Sequence, residues 1–157
     1  MEAREVKGEA KLFLRMDETR NPGRRMRGET HYIMAGCLTD DIESFEHVTE
    51  RYGLGKELKF HDHPWLRDEI LEDAKPFVNT VYYVQFSKRR TLWDGKGDKR
   101  ALHRSMLCSL TRGIAGDLTA DKIDVVIDHN NLIGNEETRR LVRDVFTLTP
   151  GIDWYYP

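Results

Sequence analysis

Two acidic residues follow directly on apolar segments that show the alternation of β-strands. Asp17 follows the segment 11–16, and Asp128 follows the segment 123–127. If these strands are parallel neighbours, their carboxyl ends lie at the same edge of the sheet, about 4.8 Å apart, and both carboxylates can face one ion. Mg²⁺ is typically held by one or two carboxylates together with substrate phosphate. The sequence therefore indicates a divalent-cation site, with Glu57 as a candidate third ligand.

These acids also have a purely structural interpretation. Acidic residues after strands commonly cap turns and helices, and that role accounts for any one of them taken alone. Motifs for other reactions are missing, because the stretch Gly53-Leu54-Gly55-Lys56 is too short for a P-loop and no GxSxG sequence occurs. The cation site is thus the candidate with the most specific chemistry.

The histidines are weaker candidates. His61 and His63 flank Asp62 at a spacing that can hold zinc on an extended segment, but no third ligand of matching type stands nearby, which favours capping and surface roles. His103 falls within a predicted helix, where a partnered side chain on the helix face is the expected role. His129 follows Asp128 and is a candidate for proton transfer.

Two segments are rich in basic side chains although the chain as a whole is nearly neutral. The sequence has 25 Lys and Arg against 27 Asp and Glu, a net charge of −2, which argues against a protein that coats nucleic acid with its whole surface. The segments 20–29 and 87–104 concentrate positive charge and can contact phosphates, although such runs are often solvated loops or helix faces. The candidate nucleic-acid contacts are Arg24, Arg25, Arg27, Lys88, Arg89 and Arg90.

The composition is that of one ordinary globular domain. The chain has 157 residues, of which 39% are hydrophobic and 33% are charged, enough for one core. No stretch has the roughly 18 apolar residues of a membrane span, and the first residues lack the apolar region of a signal peptide, so we expect a cytoplasmic protein without membrane contact. Its two cysteines do not form a disulfide framework or a metal knuckle.

The pattern of apolar residues predicts a hairpin followed by alternating helices and strands. Strands are predicted at 11–16, 31–38, 77–86 and 123–127. The first helix is predicted to follow the candidate caps Asp40 and Asp41. Further helices are predicted from Pro64 to the stop at Pro76 with Trp65, Leu66, Ile70 and Leu71 as the apolar stripe, from Asp98 with Leu102, Met106, Leu110 and Ile114, and over 135–146 with Asn135 as the cap. Because a helical crossover normally returns the chain parallel, this order predicts an α/β mixed sheet with helices on both faces.

Four short motifs resemble domain of unknown function family 3800. They are residues 12–19, Leu-Phe-Leu-Arg-Met-Asp-Glu-Thr; Ala35-Gly36; Glu57-Leu58-Lys59-Phe60; and residues 123–128, Ile-Asp-Val-Val-Ile-Asp, and they occur in the order found in that family. The resemblance covers about residues 10–130. It implies a ribonuclease H-like fold and an acidic metal site of Asp17, Glu57 and Asp128, with Lys59 beside it.

The chain departs from the family pattern at two places. Thr19-Arg20 stands where the family has Ser-Gly, which affects only the turn. The family usually closes with a helix that carries a Gln-x-x-Asp element, whereas this chain ends at Tyr156-Pro157, and the nearby acids Asp144 and Asp153 are in no such motif. We therefore expect a single ribonuclease H-like domain over 1–157 without the usual C-terminal acidic helix.

The expected function is metal-dependent phosphodiester hydrolysis on a nucleic acid, DNA or RNA, with Mg²⁺ or Mn²⁺ as cofactor. Asp17 is the central ligand, Glu57 and Asp128 complete the ion sites, and Lys59 holds a phosphate or developing charge. The alternative is a non-catalytic binding or assembly module that keeps the fold with an incomplete site. Both interpretations leave the oligomeric state open.

Overall fold

The computed structural model describes residues 11–18, 31–52, 64–87, 98–118, 122–127, 132–147 and 153–155. The elements are β1 (Lys11–Glu18), β2 (His31–Thr39), α1 (Ile42–Arg51), α2 (Arg67–Ala74), β3 (Thr80–Ser87), α3 (Lys99–Asp117), β4 (Lys122–Ile127), α4 (Gly134–Thr147) and β5 (Asp153–Tyr155). Short 3₁₀ turns, Pro64–Leu66 and Lys75–Phe77, flank α2. No helix in the described part of the chain is long and apolar enough to span a membrane.

The strands form one mixed sheet in the order β3-β2-β1-β4-β5. β1 and β2 form an antiparallel hairpin, and β3 continues it antiparallel to β2. β4 lies parallel to β1, and β5 lies parallel to β4. The N-terminal hairpin and the parallel pairing of the two acid-ended strands, both expected from the sequence, are thereby confirmed.

One face of the sheet carries the core, which α3 and α4 cover. Alternation along β1 buries Leu14 and Met16, and β4 buries Ile123 and Val125 on the same face. The four-residue repeat of α3 meets this face as predicted: Met106, Leu110 and Ile114 are buried and Leu102 is partly buried. From α4, Val142 and Phe146 complete the cluster.

The other face of the sheet lies towards α1. Arg15, which alternation turns away from the core, lies 3.7 Å from Glu46 of α1 and 3.6 Å from Asp124 of β4. The hydroxyl of Tyr52, just after α1, donates to Asp73 of α2 at 2.5 Å and thereby ties the two helices together. Helices therefore stand on both faces of the sheet, as expected.

The predicted helix from Pro64 to Pro76 is shorter and less buried than its sequence pattern indicates. Of its apolar stripe, Ile70 is buried, whereas Trp65 is 72% and Leu71 is 51% exposed. The 3₁₀ turn has three residues per turn against 3.6 in α2, so the two segments do not share one stripe. Leu71 turns about 100° away from Ile70 around the helix axis and so faces solvent.

The start of α4 and the presence of a last strand, β5, also differ from the prediction. Asn135 lies inside α4, which starts at Gly134, so it is not the residue that precedes the helix. Gly134 has φ 73°, a left-handed conformation that glycine adopts without steric cost, and this lets the chain turn into α4. The three-residue strand β5 was not predicted, because it is too short to show alternation.

A buried hydrogen bond fixes the start of α3 on the sheet. The hydroxyl of Tyr32 in β2 lies 2.9 Å from Nδ1 of His103, and both side chains are almost fully buried. The N-terminal end of α3 is capped by Asp98, whose carboxylate accepts the N–H of Ala101 at 2.9 Å, as the sequence indicated. His103 is thus a partnered residue of a helix face, as expected.

We expect Gly36→Ala to lower the free energy of unfolding by about 1 kcal/mol or more through overpacking. A Cβ at this position would lie 3.1 Å from the Cδ1 atoms of Ile114 and Leu14, and both of these side chains are fully buried with no room to retreat. Urea denaturation monitored by circular dichroism measures the change.

Gly113→Ala is the matched control, because no atom lies within 4 Å of its Cβ position on the exposed side of α3. Since alanine favours helix over glycine, this change should raise the free energy of unfolding by about 0.5–1 kcal/mol. The same sign for both substitutions would contradict the packing of α3 on β2.

We expect the stability of the protein to fall as the pH decreases from about 7.5 to about 5.5, in part because of His103. Burial, opposed by the charge of Glu137, lowers the pKa of His103 below its ordinary value of 6.5. The unfolded chain therefore takes up a proton at a pH where the folded chain does not, and folding loses stability as the pH falls below that value. Thermal melts across this range should show a shallower decline for His103→Gln, and parallel curves would contradict the prediction.

Candidate functional site

The sheet edge at which β1 and β4 end is the candidate site. Met16 of β1 is paired in parallel with Ile127 of β4, so the two strands reach this edge in step. Asp17 is the next residue of β1. Asp128 is the next residue of the sequence after Ile127 and lies outside the described residues.

Asp17 presents its carboxylate at the surface of this edge. The side chain is exposed, and its Oδ1 accepts the backbone N–H of Glu18 at 2.8 Å. Alternation puts Asp17 on the same side of β1 as Arg15, whereas Glu18 falls on the core side with Met16. Asp17 and Glu18 therefore place one carboxylate on each face of the sheet at the end of β1.

The electrostatic effect of both acids is visible at Tyr32. Burial is the main cause that raises the pKa of the Tyr32 hydroxyl, and the charges of Glu18 and then Asp17 raise it further. Like charge disfavours the phenolate, so the two acids add to the effect of burial in the same direction. A cation is the species that these two negative charges attract.

Asp124 is an acidic residue of β4 that lies before the strand end. It is paired with Phe13, three residues before Met16, rather than at the strand end. Lys11 lies 3.7 Å and Arg15 lies 3.6 Å from its carboxylate, which is 17% exposed. Two cations already neutralise this carboxylate, so its role is to hold β1 against β4.

The two C-terminal acids noted in the sequence lie away from the site edge. Asp153 is paired with Lys122 at the opposite end of β4, about 16 Å from Ile127 at the rise of a strand. Asp144 follows Gly134 by ten residues in α4, about 15 Å along the helix axis. It borders a groove with Arg112 and Gly116 near the end of α3. Neither acid stands beside Asp17.

Most of the predicted site residues cannot be placed beside Asp17. Outside the described residues lie Glu57, Lys59, Asp128, Arg24, Arg25, Arg27, Lys88, Arg89, Arg90, His61, His63 and His129. Within the described ranges, no group of three or more His, Cys, Asp or Glu side chains could hold a metal ion. The convergence of Asp17, Glu57 and Asp128 therefore stays a prediction.

The sequence interpretation missed a cluster of arginines on α3 and α4. The cluster borders an open groove beside the start of α4 and includes Arg104, Arg139, Arg140 and Arg143. The signal was available, since Arg139, Arg140 and Arg143 recur at the spacing of one helix face.

No protein-family model matches the sequence, and no curated protein matches it. Solved structures do match the fold. Ribonuclease HII in its complex with PCNA from Archaeoglobus fulgidus superposes with a TM-score of 0.56 at 11% identity, and ribonuclease H2 from Pyrococcus horikoshii OT3 with 0.54 at 11%. Each match covers 92% of this chain and 62% of the other, so the chain spans less than two thirds of these enzymes. The protein has a ribonuclease H-like fold.

Proposed function

We propose that the protein is a metal-dependent phosphodiesterase that acts on nucleic acid, with Asp17, Glu57 and Asp128 as its acidic ligands. The observation that carries the proposal is the parallel pairing of Met16 with Ile127, which brings the ends of the two acid-terminated strands together. If this register continues by one residue, Asp128 is the partner of Asp17, with backbones about 4.8 Å apart. The ribonuclease H-like fold supports the same assignment.

The chemistry of the donors fits a hard divalent cation. Carboxylate oxygens are the ligands that Mg²⁺ and Mn²⁺ prefer, and the neighbouring acids Asp17 and Glu18 at the end of β1 favour a positive charge there. When bound, Mg²⁺ or Mn²⁺ would supply charge stabilisation to a phosphodiester undergoing attack by water. Asp17 would be the central ligand, and Glu57 and Asp128 would complete the set.

Residues of the chain would position the substrate at the same edge. Lys59 would hold a phosphate oxygen or the developing negative charge. β1 ends at Glu18, and β3 ends at Ser87, which is paired with His31 at the start of β2. The predicted basic contacts Arg24, Arg25, Arg27, Lys88, Arg89 and Arg90 belong to the segments that leave the sheet there, which supports backbone contacts beside the acids.

The four motifs shared with domain of unknown function family 3800 support membership of that family as part of this proposal. The fold agrees with the one that the resemblance implies. Under this proposal Glu57 and Lys59 lie in the connection between α1 and the turn before α2.

A second candidate function is a non-catalytic module that binds nucleic acid or a protein through the same fold. The remote positions of Asp144 and Asp153 favour it, because neither acid can add to the ligands at the site edge. The two candidates differ in one measurable property, which is whether the protein cleaves a phosphodiester.

We expect millimolar Mn²⁺ to stabilise the wild-type protein and to have no such effect on Asp17→Asn. An ion bound only by the folded state at ten times its Kd adds about 1.4 kcal/mol, equivalent to a rise in Tm of about 3–6 °C for a domain of this size. Differential scanning fluorimetry with and without Mn²⁺ measures the shift.

Asp68→Asn is the matched control, since Asp68 is an exposed carboxylate of α2 that pairs with Arg67 far from the site edge. It should retain the full shift. Equal responses of wild type and Asp17→Asn would show that the ion binds elsewhere.

We expect cleavage of at least one labelled single-stranded or duplex DNA or RNA in Mn²⁺, and a loss of at least about a hundredfold for Asp17→Asn, because a central ligand stabilises charge in the transition state. Gel analysis of the products over time measures the rate. An intact Mn²⁺ shift with no cleavage of any substrate would support the non-catalytic module instead.

A further inference from the structure

The arginine cluster of α3 and α4 surrounds a groove of about 650 Å³. Its lining consists of Arg104, Ile133, Glu136, Glu137, Arg139, Arg140 and Arg143. Four positive charges therefore face two negative ones in a chain whose net charge is −2. We name this feature the arginine groove.

One of the two acids in the arginine groove already serves the fold. Arg104 of α3 binds both carboxylate oxygens of Glu137 in the first turn of α4. The hydrogen bond from Arg104 is the main cause that lowers the pKa of Glu137, so this carboxylate stays charged and paired. The bridge joins α3 to α4.

Two of the other arginines take part in exposed surface pairs. Arg140 lies 4.0 Å from Glu137, and Arg143 lies 3.5 Å from its neighbour Asp144, with side chains 61% and 55% exposed. Exposed pairs of this kind contribute little to stability, so a phosphate can replace the carboxylate at small cost. Arginine also matches phosphate with two parallel hydrogen bonds.

The spacing of these arginines suits a polyanion with regularly spaced charges. Arg139 and Arg143 are one helical turn apart on α4, about 6 Å along its axis, with Arg140 beside them. A chain of phosphates running along α4 can therefore meet one guanidinium after another. An isolated carboxylate ligand would use only one of these positions.

The charges of the molecule are separated between the two helical layers. Residues 40–52 and 64–77, which contain α1 and α2, carry nine acidic and three basic side chains. Residues 98–118 and 132–147, which contain α3 and α4, carry five acidic and seven basic ones. A polyanion that approaches this protein is repelled by the first layer and attracted by the second.

The two helices that form the arginine groove begin at the end of the sheet where β1 reaches Asp17, because α3 follows β3 and α4 follows β4 and both strands run parallel to β1. The charges of Asp17 and Glu18 act on Tyr32, and Tyr32 contacts His103 in the first third of α3. The next residue along α3 is Arg104, which forms the bridge to α4. The hydrogen bond to His103 and the bridge from Arg104 therefore hold the starts of α3 and α4 at this end of the sheet.

We infer that the arginine groove binds the phosphates of a nucleic-acid backbone without reading its sequence. These phosphates would lie to one side of the phosphodiester bond that the proposed function places at Asp17. The inference rests on the proposed function for its choice of polyanion. It assigns to α4 a contact surface distinct from the two basic segments predicted from the sequence. Phosphate contacts of this type position a strand and add salt-dependent affinity.

The test is the binding of a fluorescently labelled oligonucleotide to the variant Arg139→Gln/Arg140→Gln/Arg143→Gln, measured by anisotropy in EDTA. We expect its Kd to rise about tenfold or more, because three charge-assisted contacts are lost. The slope of log Kd against log salt between about 50 and 200 mM should fall by about 2 for a single strand.

The matched control is Arg51→Gln/Arg67→Gln/Lys75→Gln, which removes three exposed, similarly paired cations from α1 and α2. It should keep the wild-type Kd within about twofold, which corresponds to a small change in binding energy. Equal losses in both variants would show an effect of net charge alone and overturn the inference. Wild-type affinity and salt slope in the groove variant, or no binding by the wild type, would overturn it as well.

Two further measurements separate this inference from the proposed function and from a protein partner. The Mn²⁺ shift uses no nucleic acid, so it should be unchanged in the groove variant whether or not the groove binds. If the groove variant loses oligonucleotide binding but keeps the Mn²⁺ shift, the result supports the inference about the groove. The metal site is tested separately, by loss of the Mn²⁺ shift in Asp17→Asn. If polyglutamate competes as well as an unlabelled oligonucleotide of equal charge, the groove is a surface for acidic proteins and the inference fails.

Discussion

The parallel pairing of β1 with β4 is the constraint on which the rest of the structure depends. β1 is the central strand of the sheet, and it joins the antiparallel hairpin on one side to the parallel strands on the other. Its register puts Met16 beside Ile127, while Lys11 and Arg15 clamp Asp124 between them. A shift of one residue would turn Leu14 and Met16 out of the core, so burial holds the two strand ends in step.

The crossover helices follow from this arrangement and carry other groups to the same edge. β3 runs parallel to β1 through the hairpin, so the chain leaves its end at the site edge and returns along α3. The hydrogen bond between Tyr32 and His103 fixes the start of α3 there, and the bridge from Arg104 to Glu137 fixes the start of α4 beside it. Acids and arginines that are far apart in sequence thus share one end of the molecule.

The local features were predictable because each depends on neighbouring residues. Alternation located β1 and β4, the repeat from Leu102 to Ile114 located α3, and Asp98 marked its start. Long-range features were less accessible. The exposure of Trp65 depends on a change of helical pitch, and β5 is visible only through its pairing with β4. The register that brings Asp17 to the end of β4 is likewise a property of the whole sheet. The sequence indicated two strands that end in acids, but their adjacency entered only as a condition.

The arginine groove shows why the net charge of a sequence segment does not reveal a basic surface in the folded protein. α4 carries three acidic and three basic residues and resembles an ordinary solvated helix, so its charges cancel when they are summed along the sequence. In three dimensions Glu137 is engaged by α3, and Asp144 falls beyond the groove lining, which leaves Arg139, Arg140 and Arg143 on one surface. Because α1 and α2 carry most of the compensating acid, a protein of near-neutral composition presents a basic surface next to its acidic edge. Under the proposed function, the carboxylates at the end of β1 would attract a cation and the arginines of α4 would attract phosphate, which is the combination that a phosphodiester backbone and its counterions require of a protein surface.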